Sequence, residues 1–232
     1  MGDYMKVYEL TVTCQLFKTH HFSQSNELIS NFLNGTLKQH TEFNRIHRIR
    51  QYKHYVYQTF YPVERDGSYK QGRIYIFKIR TLNKSFADSL TTYLLRRSDL
   101  TLTVLSVETH VMKEKHITEL RTLTPVITTI DDGPWLKDKG LFLLQKRLHD
   151  NAEKKYKALT NEDKPFKSFI QQIELLNEKP LALHYKKIKL LGNKVRIHVN
   201  EDSDSQLLAR TVIGAGLGEK NSSLGAGYLL FS

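Results

Sequence analysis

The stretch HYVYQTFYPVERDGSYKQGRIYIFKIR, residues 54–80, decides the fold class. Its two ends, HYVYQTFYP (54–62) and GRIYIFKIR (72–80), are rich in β-branched and aromatic residues, which favour strands. The polar segment between them contains Asp66-Gly67, a pair that favours the tight turn of a β-hairpin. The stretch therefore predicts two neighbouring antiparallel strands.

Helices and strands alternate outward from this hairpin on both sides. Before it, SQSNELISNFLNGTL (23–37) places apolar residues at helical spacing, and YMKVYELTVTCQLF (4–17) reads as a strand. After it, NKSFADSLTTYLLRR (83–97) begins with helix-capping side chains, and LTLTVLSVETHVM (100–112) is again typical of a strand. The order strand-helix-strand-strand-helix-strand is the ferredoxin-like pattern.

The second half of the chain repeats this order with weaker signals. We expect strands at 119–130, 168–176, 181–191, 194–200 and 227–232, a long amphipathic helix at 140–160 and a capped helix at 202–214. The sequence therefore predicts an α+β protein with two tandem ferredoxin-like folds, whose antiparallel sheets face a central cleft. We expect an N-terminal domain over 1–115 and a C-terminal domain over 118–232.

The net charge of the chain indicates which class of partner it binds. Among 232 residues, 35 are basic and 24 acidic, which gives a net charge of +11 and a pI near 9.6. Such a balance favours a polyanion, with nucleic acid as the first choice and an anionic membrane as the second. No apolar run is long enough for a transmembrane helix, and the first residues lack the apolar region of a signal peptide, so we expect a cytoplasmic protein without a membrane partner.

Cysteine usage excludes two classes of site. The one cysteine, Cys14, rules out an intrachain disulfide and a cysteine-rich zinc site. Because Cys14 lies in an alternating apolar stretch, we expect it to be a small core residue. The adjacent His20 and His21 have no carboxylate or thiolate at ligand spacing, so the sequence predicts neither a metal site nor a cofactor.

The C-terminal segment GAGLGEKNSSLGAG, residues 214–227, holds five of the twelve glycines. It is neither a dinucleotide fingerprint nor a P-loop, because Glu219 replaces the third glycine of the former and stands directly before Lys220. Glycine permits positive φ and close approach of a ligand, and successive N–H groups bind anions. We expect this loop to bind phosphate; a purely structural glycine turn is the alternative.

This segment resembles the glycine-rich signature of the CRISPR repeat-processing endoribonucleases, the Cas-six family of the RAMP superfamily. The run 218–222 matches the signature, and Ser223 looks like one inserted residue before Leu224. TLTPV (122–126) also resembles the strand that opens the second half of such proteins. The resemblance implies that the loop contacts RNA through Gly214, Gly216, Gly218, Lys220, Asn221, Ser222, Gly225 and Gly227.

The resemblance also implies metal-independent cleavage of CRISPR precursor RNA within each repeat, which leaves a 2′,3′-cyclic phosphate. Such cleavage needs a base for the 2′-hydroxyl, an acid for the leaving 5′-oxygen and a cation or donor for the phosphorane. The stretch HTEFNRIHRIRQYKHYVYQ (40–58) is the richest in suitable groups. By similarity to family members, His47 is the catalytic histidine and Lys53, six residues later, is the catalytic lysine.

One position departs from the family pattern. Some members have a tyrosine fifteen residues before the catalytic histidine, but this chain has Phe32, which cannot donate a hydrogen bond. Tyr52, His40 or Lys38 are candidates to replace it, or the site works with two residues. In their own right, His40 and His54 are expected to be bystanders.

Further basic side chains are expected to contact RNA. One group lies beside the predicted cleavage centre and the other on a predicted basic hairpin: Arg45, Arg48 and Arg50, and Lys186, Lys187, Lys189 and Arg196. For both groups a solvated face is the alternative. Trp135 is either a platform for base stacking or a packing residue at a domain edge.

These observations predict an endoribonuclease that processes CRISPR repeat RNA. The alternative is a non-catalytic RNA-binding module of the same fold, acting as a ribonucleoprotein subunit. Phe32 supports this alternative, because it lacks the hydroxyl of the tyrosine that some family members have there. An unrelated RRM-type protein is a more distant one, because its strand motif is missing. CRISPR repeat RNA is the expected partner, together with a second copy of the chain or a CRISPR effector complex.

Overall fold

The structure, a computed structural model, describes residues 5–39, 52–95, 97–131, 133–185 and 188–232. In chain order its strands are β1 (Tyr8–Leu16), β2 (His20–His21), β3 (Tyr55–Tyr57), β4 (Ser68–Tyr69), β5 (Ile74–Thr81), β6 (Leu102–Val111), β7 (Glu119–Thr122), β8 (Thr129–Ile130), β9 (Gly133–Pro134), β10 (Ile170–Leu175), β11 (Leu181–Tyr185), β12 (Ile188–Gly192), β13 (Val195–Val199) and β14 (Leu229–Phe231). Its helices are α1 (Ser25–Lys38), α2 (Lys84–Leu94), α3 (Leu141–Thr160), α4 (Ser203–Ala215) and α5 (Asn221–Leu224). Short 3-10 turns lie at Phe22–Gln24 and Lys137–Lys139.

Two four-stranded antiparallel sheets organise the chain. The first has the order β3-β5-β1-β6 and the second the order β10-β13-β7-β14. Within each half the order is second-third-first-fourth, with one helix after the first strand and one after the third. This is the ferredoxin-like topology, present twice, and it confirms the predicted fold class.

In β1 of the first sheet, buried side chains alternate with partly buried ones along most of the strand. Leu10, Val12, Cys14 and Leu16 are fully buried on one face of the strand, where they contact the helices of the same half. The prediction that Cys14 is a core residue is confirmed, and burial raises the pKa of its thiol to about 12. Helix α2 begins where predicted, because the Asn83 side chain accepts a hydrogen bond from the third residue of the helix.

The second sheet departs from the prediction at its first strand. We expected one strand over 119–130, but β7 ends at Thr122. Pro125 has no N–H to give to a strand ladder, and beyond it Val126 and Ile127 form isolated bridges to Asn193 and Glu219. The predicted strand 181–191 is likewise a separate two-stranded hairpin, β11–β12.

The burial of Trp135 decides between its two predicted roles, base stacking and packing. Trp135 is 2% exposed, and its indole Nε1 donates a hydrogen bond to the carbonyl of Gly140 at 3.1 Å. It is therefore a packing residue of the second core and is not available as a base-stacking platform. None of the helices in the described ranges combines the length and the apolar character that crossing a bilayer demands.

A buried ion cluster joins the first sheet to the last strand. Arg80 on β5 donates to the Glu9 carboxylate on β1 at 2.6 Å and to the carbonyl of Leu229 on β14 at 2.6 Å. The Tyr228 hydroxyl donates to the same carboxylate at 3.1 Å. Burial alone would raise the pKa of Glu9, but Arg80 and Lys78 outweigh burial and hold that pKa below its usual range.

The chain before β14 crosses itself closely at a glycine. Gly227 has φ of +69°, and a Cβ placed on it would lie 1.9 Å from the carbonyl oxygen of Leu217. The two residues are held together because the Leu217 N–H donates to the Gly227 carbonyl at 2.9 Å. Any side chain at this position would therefore break the crossing.

We expect Gly227→Ala to lower the free energy of unfolding by more than about 3 kcal/mol, because it adds a backbone clash to the strain of positive φ. Gly72→Ala is the matched control: Gly72 also has positive φ, +76°, but nothing lies within 4 Å of its added Cβ. That change should cost only about 1–2 kcal/mol. Urea unfolding followed by circular dichroism measures both, and equal losses would contradict the crossing argument.

Candidate functional site

The glycine-rich segment is folded against the protein itself. Gly214 lies inside α4, and an added Cβ would clash with Leu82. An added Cβ at Gly216, Gly218 or Gly225 would likewise meet protein atoms at 2.4–2.6 Å. All these glycines are buried. What approaches their backbone so closely is this chain, and their direct contact with RNA stays a prediction.

The expectation of exposed N–H groups needs correction at three positions. The N–H groups of Gly216, Gly225 and Gly227 donate to the carbonyls of Val212, Asn221 and Pro125 respectively. They therefore cannot form an anion-binding concavity, because their donors are already used inside the fold. Positive φ is nevertheless present at all three glycines, as the sequence suggested.

A buried lysine of α3 holds the loop in shape. Lys155 is 1% exposed, and its ammonium donates to the carbonyls of Gly216 at 2.6 Å and Gly218 at 2.7 Å, and to Oδ1 of Asn221 at 2.7 Å. These contacts use all three ammonium donors. The Asn221 amide also donates to loop carbonyls, which makes this predicted RNA-binding residue a support of the loop.

Sequence analysis missed this lysine, although a signal was present. Leu148, Ala152 and Lys155 follow each other at helical spacing on the buried face of α3. A cation in an apolar stripe indicates a buried partner. Burial lowers the pKa of Lys155 to about 7, although the nearby Glu219 carboxylate favours the charged form. That carboxylate accepts hydrogen bonds from Thr129.

An open pocket of about 430 Å³ lies beside the loop. One wall is the segment 52–55, the second is α3 and the third is the segment 218–223. Its cationic side chains are Lys53, Arg147, Lys154, Lys155 and Lys220, and its carboxylates are Asp150 and Glu219. Asp150 forms an ion pair with Lys146 at 2.8 Å.

This pocket brings together two segments that the sequence singled out separately. Tyr52 and Lys53 line it together with Lys220, Asn221 and Ser222, although more than 160 positions separate the two segments. Burial lowers the pKa of Lys53, and burial and then Glu219 raise that of Tyr52. A lysine with lowered pKa next to an open polar pocket is suited to contact or transfer a proton near a phosphate.

The remaining predicted residues either fall outside the described ranges or do not line the pocket. The residues His40, Arg45, His47, Arg48, Arg50, Lys186 and Lys187 fall outside the described ranges. Lys38 ends α1 and does not line the pocket. Phe32 is 1% exposed in the first core, with the Arg97 guanidinium 5.8 Å from its ring centroid.

The predicted basic hairpin also needs correction. Lys189 lies on β12, but Arg196 lies on β13 of the second sheet. The Arg196 guanidinium forms ion pairs of 3.4 Å with Glu119 and with Glu174. Arg196 is therefore neutralised by its neighbours. Within the described part of the chain, no three histidine, cysteine or carboxylate side chains group as metal ligands.

The family described as CRISPR associated protein Cas6, C-terminal, matches residues 107–229. No curated protein sequence matches the chain significantly.

Solved structures share the fold across nearly the whole length. A CRISPR associated protein Cas6 has 18% identity and a TM-score of 0.73, covering 97% of this chain and 99% of its own. A Cas6-related protein from Pyrococcus furiosus has 17% identity and a TM-score of 0.72, covering 97% and 98%. A structure titled "An RAMP protein binding different RNA substrates" has 15% identity and a TM-score of 0.75, covering 97% and 99%.

We expect Lys155→Met to lower the free energy of unfolding by about 3–5 kcal/mol, because it leaves three buried acceptors without a donor. Lys154→Met on the exposed side of the same helix is the control and should change stability by less than about 0.5 kcal/mol. Urea unfolding at pH 7 compares them, and equal stability of the two variants would contradict the role of the buried ammonium.

The pH dependence of stability should also report on Lys155. Its pKa is about 7 in the folded chain and 10.5 ordinarily, so between these values the unfolded chain holds more protons. The free energy of unfolding of the wild type should therefore rise with pH over this window, relative to Lys155→Met, by up to about 1.4 kcal/mol per pH unit. Parallel stability profiles of the two proteins from pH 7 to pH 10 would exclude a lowered pKa.

Proposed function

Because the chain belongs to the Cas6 family of CRISPR-associated proteins, we propose that it is an endoribonuclease that cuts CRISPR precursor RNA within each repeat. The observation that carries the proposal is the shared pocket of Lys53 and the loop residues Lys220 to Ser222. The resemblance assigned the first residue to catalysis and the others to RNA binding. All of them line the same pocket, which supports this assignment.

The surroundings of the pocket suit RNA. Four cationic residues besides the buried Lys155 line it, and the whole chain carries a net charge of +11. A phosphate backbone is attracted by both. Related folds support the same class of ligand, since one is titled as a RAMP protein binding RNA substrates and another as a Cas6 product complex.

The proposed chemistry is an internal transesterification. The ribose 2′-oxygen forms a bond to the adjacent phosphorus, the bond from phosphorus to the 5′-oxygen breaks, and the product carries a 2′,3′-cyclic phosphate. The 2′-hydroxyl proton passes to a base, and the leaving 5′-oxygen receives a proton from an acid. We assign His47 to one of these transfers and Lys53 to the phosphate, whose charge increases in the transition state.

Lys155 has a supporting part in this proposal. Its three hydrogen bonds fix the loop before RNA arrives, so the groups of Lys220 and Ser222 need not be ordered on binding. A preorganised loop lowers the entropic cost of association. Lys155 is thus a positioning residue, because its ammonium donates to the loop.

A non-catalytic RNA-binding module is the second candidate. The observation that favours it is Phe32, which is buried in the first core and supplies no hydroxyl to the pocket. For the same reason Phe32→Tyr is not expected to add a catalytic group. We also propose the domain division 1–115 and 118–232, a cytoplasmic location, and association with a second copy or a CRISPR effector complex.

Cleavage of labelled repeat RNA, taken from the CRISPR array of the source genome, tests the proposal. We expect cutting at one site that persists in EDTA, because the proposed acid and base are side chains. A single 2′-deoxy nucleotide on the 5′ side of the cut phosphate should abolish it, because the nucleophile is then missing. Cleavage of that deoxy substrate would overturn the mechanism, and binding without cleavage would favour the RNA-binding module.

Single-turnover rates separate the histidines. His47→Ala should slow cleavage by roughly 10²- to 10⁴-fold, the range for a general acid or base, with little change in RNA affinity. His116→Ala, at an exposed histidine that does not line the pocket, is the matched control and should leave the rate near that of the wild type. Lys53→Ala should slow cleavage and also weaken binding, because a cation near phosphate attracts the ground state as well. A fast His47→Ala variant would show that another group moves the proton.

A further inference from the structure

Glu219 places a negative charge in a pocket whose charged side chains are mostly cationic. It belongs to the motif run 218–222, but it has no part in the proposed chemistry. Its side chain is partly exposed and lines the pocket, together with Lys53, Lys154 and Lys220. Those cations attract a phosphate backbone, whereas this carboxylate repels one. The presence of the carboxylate therefore points to a different group of the ligand.

The Glu219 carboxylate is held in one orientation. Its Oε1 accepts a hydrogen bond from the Thr129 N–H at 2.9 Å, and its Oε2 accepts one from the Thr129 hydroxyl at 2.7 Å. The Glu219 N–H in turn donates to the carbonyl of Ile127 at 2.9 Å. The backbone and the side chain of Glu219 are therefore both fixed against the segment 127–129 before any ligand binds.

The carboxylate keeps accessible acceptor capacity. Its two oxygens can together accept about four hydrogen bonds, and the two from Thr129 lie in solvent-exposed surroundings. Within the described part of the chain Glu219 forms no ion pair, whereas Asp150, the other carboxylate of the pocket, pairs with Lys146 at 2.8 Å. The Lys155 ammonium is close enough to interact with the charge of Glu219, but its three donors are used by other acceptors.

We propose that Glu219 accepts a hydrogen bond from a hydroxyl or amino group of one nucleotide and so determines which group of the RNA faces the loop. The inference rests on the proposed function, which supplies the RNA. An RNA chain offers hydrogen-bond donors at its ribose 2′-hydroxyls and at the N–H groups of its bases. An ionised carboxylate only accepts, so it selects these donors and rejects a phosphate turned toward the loop.

Glu219→Gln tests the proposal by the sign of its effect. The glutamine keeps both hydrogen bonds to Thr129, since its oxygen can accept from the N–H and its amide can donate to the hydroxyl oxygen. It removes a negative charge, so electrostatics alone would make the variant bind the polyanion more tightly. We expect the opposite: repeat RNA binds about 5- to 50-fold more weakly, because a hydrogen bond to a charged acceptor becomes at best one to a neutral acceptor.

Asp150→Asn is the matched control. It removes the same charge from the same pocket, but at a carboxylate that already pairs with Lys146. This variant should bind repeat RNA at least as tightly as the wild type. Urea unfolding followed by circular dichroism verifies that both variants are folded.

Thr129→Val provides a second, independent variant. It keeps the N–H that orients one carboxylate oxygen and removes the hydroxyl that orients the other. It should weaken binding about 2- to 10-fold, because the carboxylate then turns more freely. If Glu219→Gln does not fold, unchanged affinity of Thr129→Val overturns the proposal.

Substituted RNAs identify the donor. Affinity is measured on repeat RNA with a 2′-deoxy nucleotide at the cut site, so that the RNA stays intact; a repeat that the wild type does not cut is used unmodified. Each nucleotide is made abasic, and each remaining one 2′-deoxy, in turn. We expect one substitution whose cost in affinity falls about 5- to 50-fold when Glu219→Gln replaces the wild type. If that substitution is 2′-deoxy, the donor is a ribose hydroxyl; if it is abasic, the donor is a base amino group.

The outcomes separate this role of Glu219 from the proposed function. Unchanged or tighter binding by Glu219→Gln, or substitution costs that this variant leaves undiminished, overturns the role of Glu219 and leaves the endonuclease intact. Weaker binding that couples to one nucleotide, in a chain that does not cleave the unmodified RNA, supports the role and overturns the endonuclease. A wild type that does not bind the repeat RNA overturns both.

Discussion

The candidate site depends on the hydrogen bonds that the Lys155 ammonium donates to the glycine-rich loop. The ammonium is buried in the second core, and its three hydrogen bonds end on Gly216, Gly218 and Asn221 of one loop. A buried cation needs such acceptors, because the cost of removing it from water is several kcal/mol. The loop in turn needs the cation, since the carbonyls of the buried residues Gly216 and Gly218 accept hydrogen bonds from it. These hydrogen bonds hold α3 against the C-terminal loop, and residues of both elements line the pocket.

In this arrangement the glycines allow close packing within the protein, whereas their spacing suggested a loop that binds a ligand. A run of glycines favours a ligand cradle, because small residues let another molecule approach. In this fold the approaching atoms belong to the protein: Leu217 faces Gly227, and Tyr57 faces Gly225. The side chains that reach the pocket, Lys220 and Ser222 among them, are presented by a loop whose glycines serve its own packing.

Local patterns explain how much could be predicted from the sequence. The ferredoxin-like order was accessible because each strand and helix carries its own periodicity, as β1 does with Leu10 and Val12. The end of β7 at Thr122 was missed although Pro125, which has no N–H for a strand ladder, stands three positions later in the sequence. The burial of Lys155 was missed because a lysine is ordinarily assigned to the exposed face of a helix, although its position continues the apolar stripe of α3. The pocket could not be predicted, because 97 positions separate Asn151 from His54, and the two residues come together only in the fold.

The lining of the pocket combines charged and neutral polar groups. Its cations, Lys53 and Lys220 among them, favour a phosphate backbone, and such an attraction is independent of sequence and weakens with salt. The imidazole of His54 is neutral, because burial and then Lys155 lower its pKa to about 4. Lys155 links the two, since its charge helps to keep His54 neutral while its hydrogen bonds hold the loop that presents Lys220. One buried cation thereby acts on two walls of the pocket, the loop 218–223 and the segment 52–55.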